Sequence, residues 1–151
     1  MAAAVVGAAG CNSEQSREEL AAREFHQRLA QNRVDLIYAN ASDQLKAQWS
    51  EAQFRKMLSQ TQAYGILQST ERAHYARTPM GESSAVVLAY YNSRFATTSC
   101  LESFSWRMDG SGLKLDTYSC APNMQVTCSD GGTGAKCETS PTPQPGFASA
   151  Y

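Results

Sequence analysis

Long apolar runs are missing from these 151 residues. The apolar segment at the front falls far short of the roughly 20 residues a membrane-spanning helix needs, and no other stretch comes closer. No transmembrane helix is therefore expected. A charge excess is missing as well: 13 Lys and Arg face 14 Asp and Glu. The basic residues are scattered, which argues against a nucleic-acid binder. Only 2 histidines are present. The sequence carries no G-x-S-x-G, no phosphate loop and no metal-ligand cluster, so no cofactor is called for. No cysteine pair has the C-x2-4-C spacing of a zinc site, and neither His26 nor His74 lies near the cysteines in the chain.

What is present is ordinary for a globular protein: 42% hydrophobic and 18% charged residues. The length suits one domain with a real core. The 5 cysteines are more telling. Cys100, Cys120, Cys128 and Cys137 form an even set in the last third, which suggests disulfides in an oxidising compartment. Cys11 is the odd one out and closes "MAAAVVGAAGC". Ala8, Ala9 and Gly10 before it resemble the lipobox of exported bacterial lipoproteins. The match departs at Ala8, where Leu or Val is usual, and no Lys or Arg precedes the apolar run. The bland reading is an Ala/Gly leader with an incidental cysteine. The odd cysteine favours lipidation of Cys11, and residues 1–11 are taken as a signal-peptide remnant.

The chain then reads as helices followed by strands. Residues 13–31 predict an amphipathic helix, with Ser16 and Glu19 as a capping box and Leu20, Ala21, Phe25 and Leu29 near one face. Glu19 with Arg23, and Glu24 with Arg28, add i,i+4 pairs. Two short helices follow, the second capped by Ser42 or Asp43. That Ser42 also completes an Asn40-Ala41-Ser42 sequon is read as coincidence. Ser50 and Gln53 cap a fourth helix that stops near Gly65. From there the period changes to 2. "GILQSTERAHYAR", "SAVVLAYYNSRFA", "SCLESFSWRM" and "LKLDTYSC" predict a four-stranded antiparallel meander, with "DGSG" as a hairpin turn. The class is α+β, helices packed on one face of a curved sheet.

Cys100 and Cys120 flank that hairpin, on adjacent strands, and are paired on that ground. A bulge at the turn sets them directly opposite, whereas a regular four-residue loop shifts the register by one. Cys128 then pairs with Cys137 and closes the Gly-rich loop between them, although four cysteines allow two other connectivities. The domain is placed at residues 12–138 and a disordered tail at 139–151, where Pro, Ser and Thr leave nothing to build a core.

Helices, Gly65, a Val-rich strand with "YYNSRF", then "CLESFSWRMDGSGLKLDTY" closing at Tyr118: this order resembles a family of exported bacterial domains, domain of unknown function four-zero-one-nine. "ASDQLKAQWSEAQFRKML" matches it too, and the likeness runs from about Ala21 to Tyr118. It implies a cystatin-like or nuclear-transport-factor-two-like cone and an exported setting, with no catalytic residues. Cys100 and the Cys128–Cys137 extension lie outside the pattern.

Two functions from different classes follow. The first is a non-enzymatic binding module of the cell envelope, held in the periplasm at the outer membrane by lipid on Cys11. An immunity or inhibitor protein is one form of it, with a protein partner, or a small ligand, and no nucleic acid. Its expected contact loop is Ser129, Asp130, Gly131, Gly132, Thr133 and Lys136. The second is a small cone-fold isomerase or hydrolase with Asp35 as base beside the Tyr38 phenol, i,i+3 on one helix. Against it, Asp35 reads as a first-turn helix residue and Tyr38 as a core ring with its hydroxyl at the rim. His26, between charged neighbours, and His74, near a strand end, are expected to face solvent. Tyr64, Tyr75, Tyr90, Tyr91 and Trp106 are read as core before groove.

Overall fold

Helix α1 spans Gly10–Ala30, α2 Val34–Ala39, α3 Asp43–Gln48 and α4 Glu51–Gln62. The strands follow: β1 Leu67–Pro79, β2 Ala85–Phe95, β3 Ser99–Asp109, β4 Gly112–Pro122, β5 Met124–Gly131 and β6 Gly134–Pro141. This computed structural model describes residues 10–110, 112–131 and 134–143. Residues 1–9 of the expected leader and 144–151 of the expected tail lie outside the described residues.

The helices end where local chemistry ends or begins them. Ser42 accepts a hydrogen bond from the Leu45 amide and caps α3. Ser50 and Gln53 exchange side-chain and backbone bonds in a full capping box at α4. At the front the structure differs from the sequence reading: α1 starts at Gly10, so Ser16 sits inside the helix and is not its cap. Glu24 does pair with Arg28, but Glu19 reaches across to Arg72 on β1, at 2.9 Å.

β1, β2, β3 and β4 form one antiparallel sheet in that order, and the helices pack against it. The fold is α+β with a curved four-stranded sheet, an architecture consistent with a cone. β2 alternates strictly, with Ala85, Val87, Ala89, Tyr91, Ser93 and Phe95 on the helix side. Phe25 of α1 meets Phe104 and Tyr118, ring centroids 5.1 and 4.6 Å apart, and Phe104 stacks on Trp106 at 5.5 Å. Each such pair adds about 0.5–1.5 kcal/mol beyond the area it buries.

The hairpin between β3 and β4 pairs Asp109 with Gly112, and the irregularity falls further along, at Asp116. Cys100 therefore stands opposite Pro122, and Cys120 opposite Glu102. The two cysteines are diagonal neighbours, Cα atoms 5.8 Å apart, and are bonded. Asp116, the extra residue of the bulge, turns inward and is held by Ser42 at 2.5 Å and by Arg107 at 3.2 Å.

β5 and β6 make a second, two-stranded sheet, which the sequence reading treats as a loop and the start of a tail. Strand β6 runs to Pro141, past residue 138, because each residue from Gly134 onward has a partner on β5. The Asn92 side chain holds the hairpin to the main sheet. Its amide oxygen accepts from the Val126 amide and its nitrogen donates to the Val126 carbonyl, both at 2.8 Å. Asn92 alternates with the inward Tyr91 and Ser93, so the hairpin lies on the sheet face away from the helices. Cys128 and Cys137 are directly opposed and bonded, Cα atoms 4.1 Å apart. Among the described residues no helix is long and apolar enough to cross a membrane.

Candidate functional site

Among the described residues two carboxylates, Glu102 and Glu18, are fully buried on the helix side of the sheet, and the sequence reading singled out neither. Glu102 lies on β3 between the inward-facing Cys100 and Phe104. Three elements supply its partners. His26 Nε2 of α1 is 2.9 Å from one carboxylate oxygen, the Tyr118 hydroxyl of β4 donates to the other at 2.7 Å, and Ser93 of β2 donates to the first. Tyr118 is also 3.4 Å from the Thr61 hydroxyl of α4. Burial and the facing carboxylate together push the Tyr118 hydroxyl far above its ordinary range, so it stays a donor.

Glu18 of α1 is the second. Tyr91 donates to it at 2.8 Å, the Trp106 indole at 3.2 Å and Arg72 at 3.2 Å. Burial raises its carboxyl above the usual range, and the bonds from Tyr91 and Arg72 only partly offset that. The Tyr91 hydroxyl is raised in turn, by burial first and then by the Glu18 charge. A buried charge without partners costs several kcal/mol, and each of these carboxylates is met by three protein donors instead.

His26 is buried, at 9% exposure, and does not face solvent. It shares the stripe of Ala22, Phe25 and Leu29, and the charged neighbours that suggested exposure lie on other faces of the turn. Its ring edge reaches a recess of about 240 Å³ between the end of α1, the end of α4 and the start of β1. Leu29, Ile66, Leu67 and Phe95 give the recess its apolar wall, with Gln62 beside His26 as the polar side chains. Gln62 is fixed by donating to the Leu29 carbonyl at 3.0 Å. Gly65 turns the chain there at φ +86°, and a Cβ on it would sit 2.9 Å from that of Ala96. Ile66, at the mouth, is 78% exposed.

The expected pair Asp35 and Tyr38 does not come together on a shared partner. Asp35 has a half-exposed side chain and accepts from Nε and one terminal nitrogen of Arg33, both at 3.0 Å, which lowers its carboxyl below the usual range. Tyr38 packs its ring near Phe54 and donates to the Trp49 carbonyl at 2.7 Å. In this structure the carboxylate engages an arginine and the phenol a backbone carbonyl.

In the expected contact loop, Ser129 and Lys136 are exposed on β5 and β6. Asp130 and Gly131 close β5, while Gly132 and Thr133 lie outside the described residues. Gly10 and Cys11 lie at the start of α1. Of the aromatic residues, Tyr91 and Trp106 belong to the core, and Tyr75 packs against it. Tyr64 neighbours Phe95, and Tyr90 stacks on His74.

No protein-family model, no curated protein and no solved structure matches the chain.

Proposed function

We propose that this is an exported, non-enzymatic binding module of the bacterial cell envelope, tethered at the outer membrane by lipid on Cys11. The observation that carries the reading is the cysteine pattern. Two disulfides engage Cys100, Cys120, Cys128 and Cys137, which suits an oxidising compartment and leaves Cys11 as the odd cysteine of the sequence. The likeness to domain of unknown function four-zero-one-nine, and to its cystatin-like cone, points the same way.

Binding is favoured over catalysis by the state of the buried acids. Glu102 is fully buried and already engaged by His26, Tyr118 and Ser93, which favours a structural role for it. What the recess offers is an apolar wall with His26 and Gln62 at its edge, suited to a side chain of a partner protein or a small apolar ligand. An immunity or inhibitor protein would use such a surface, or the exposed Ser129 and Lys136 of the β5–β6 hairpin on the opposite face of the sheet.

Intact-mass analysis of the native membrane fraction, with and without reduction, tests the setting. A lipid-sized gain, loss of residues 1–10 and uptake of the hydrogens of two disulfides are expected. An unmodified chain with free thiols would overturn it. A photo-crosslinking residue at Ile66, with one at the helix surface position Glu51 as control, tests the binding face. One discrete adduct from Ile66 alone is expected, and equal labelling from both positions refutes it.

A further inference from the structure

His74 and the Cys128–Cys137 disulfide meet on the sheet face away from the helices. One imidazole nitrogen and the two sulfurs lie within 4.8 Å of one another. Among the described residues this is a convergence of metal-ligating atoms that the cysteine spacing hides. Eight residues separate the cysteines in the chain, and hairpin pairing sets them side by side. His74 comes from the other sheet. The juxtaposition is fixed from both sides: Asn92 binds β5 to β2 through Val126, and His74 stacks on Tyr90, centroids 5.8 Å apart at 25°. His74 and Cys128 are half-buried and Cys137 is exposed, so a reagent can reach the sulfurs. Cys100 of the other disulfide is buried.

We propose that this cluster is a redox-gated zinc site, shut while Cys128 and Cys137 are joined and open as a Cys2His set once they are reduced. As a disulfide the sulfurs offer no thiolate, and a lone imidazole holds zinc poorly. A dithiol reductant supplies two electrons and two protons to the S–S bond and leaves as its own disulfide. Zn²⁺ then displaces the two thiol protons and takes two thiolates and one imidazole, the three-ligand set that leaves a fourth position open. Re-forming the bond by passing two electrons to an acceptor disulfide removes both thiolates and releases the ion.

The test uses the full chain, oxidised and after treatment with a phosphine reductant, without oxygen. Zn²⁺ is titrated against a chromophoric chelator, and Co²⁺ is added in parallel to read thiolate-to-metal absorption. The reduced protein is expected to take one ion with the cobalt–thiolate band, and the oxidised protein none at chelator-competitive affinity. His74→Ala should weaken the reduced site by about tenfold or more, since losing even an outer partner of a zinc ligand costs that much. A Cys128→Ser/Cys137→Ser double variant with unchanged circular dichroism should lose the ion and the band. Reduced protein that binds no zinc overturns the proposal. So does binding that survives the double serine variant, or that ignores His74→Ala.

Discussion

Tyr118→Phe removes one oxygen and nothing else. The ring that packs on Phe25 and Phe104 stays, so the change isolates the hydroxyl bond to Glu102. That bond is 2.7 Å long, buried, and made to a carboxylate. Tyr118 is itself buried, so no water replaces the lost donor. A hydrogen bond to a charged group contributes about 1.5–3 kcal/mol. Urea unfolding of the disulfide-intact protein should show that loss as a lower midpoint at unchanged slope. In a thermal scan it corresponds to roughly 3–12 °C for a chain of this size. The second arm repeats the substitution in a Glu102→Gln background. There the acceptor is neutral, and the cost of Tyr118→Phe should drop to about 1 kcal/mol. A loss below about 0.5 kcal/mol, the range of an ordinary surface change, would refute the view that the bond to the Glu102 carboxylate ties β4 to β3. An equal loss in both backgrounds would refute it as well.

Three further outcomes follow from the same geometry. The raised Glu18 carboxyl means that the native state binds more protons than the unfolded chain from about the ordinary value of 4.5 up to the native one. Its contribution is full below that window and is lost as pH rises through it, so Glu18→Gln should flatten the stability–pH curve there in chemical unfolding. Replacing both Cys100 and Cys120 by Ala should cost about 2–4 kcal/mol in urea unfolding, with an unchanged value arguing that the link constrains nothing. Gly65→Ala should cost at least about 1–2 kcal/mol, because φ is +86° and Ala96 leaves no room; a neutral Tm would place the turn elsewhere.

Much of the fold was legible because its signals are local. The Ser50–Gln53 box marks α4, the alternation of "AVVLAYYNSRF" marks a strand with one face on the core, and the DGSG turn joins β3 to β4. The β5–β6 hairpin was not legible from such signals. Among the described residues of its strands only Val126 is buried, so no apolar alternation announces it. It is held instead by the Asn92 side chain and by a disulfide, contacts between residues 34 and 9 positions apart. Composition alone makes such a segment look like a tail.

The buried acids show a different kind of failure. Glu102 stands in register with Cys100, Phe104 and Trp106, all inward, and that parity was readable in "CLESFSW". Glu18, Ala22, Phe25, His26 and Leu29 follow one helical stripe, which was readable too. Taking charge as a sign of exposure instead put His26 at the surface, against that periodicity, and neither acid was singled out. The physical preference behind that habit concerns lone charges, and it vanishes when neighbouring strands and helices bring donors. A carboxylate on an apolar stripe should instead be read as a request for partners elsewhere in the chain. Here the nearest unassigned donors on inward faces are His26 and Tyr118 for Glu102, and Tyr91 and Trp106 for Glu18. Satisfying both acids at once fixes how α1 lies across β2, β3 and β4. His26 belongs to the Glu102 network and also lines the recess, so the bond that seats α1 on β3 fixes one edge of the proposed binding face as well.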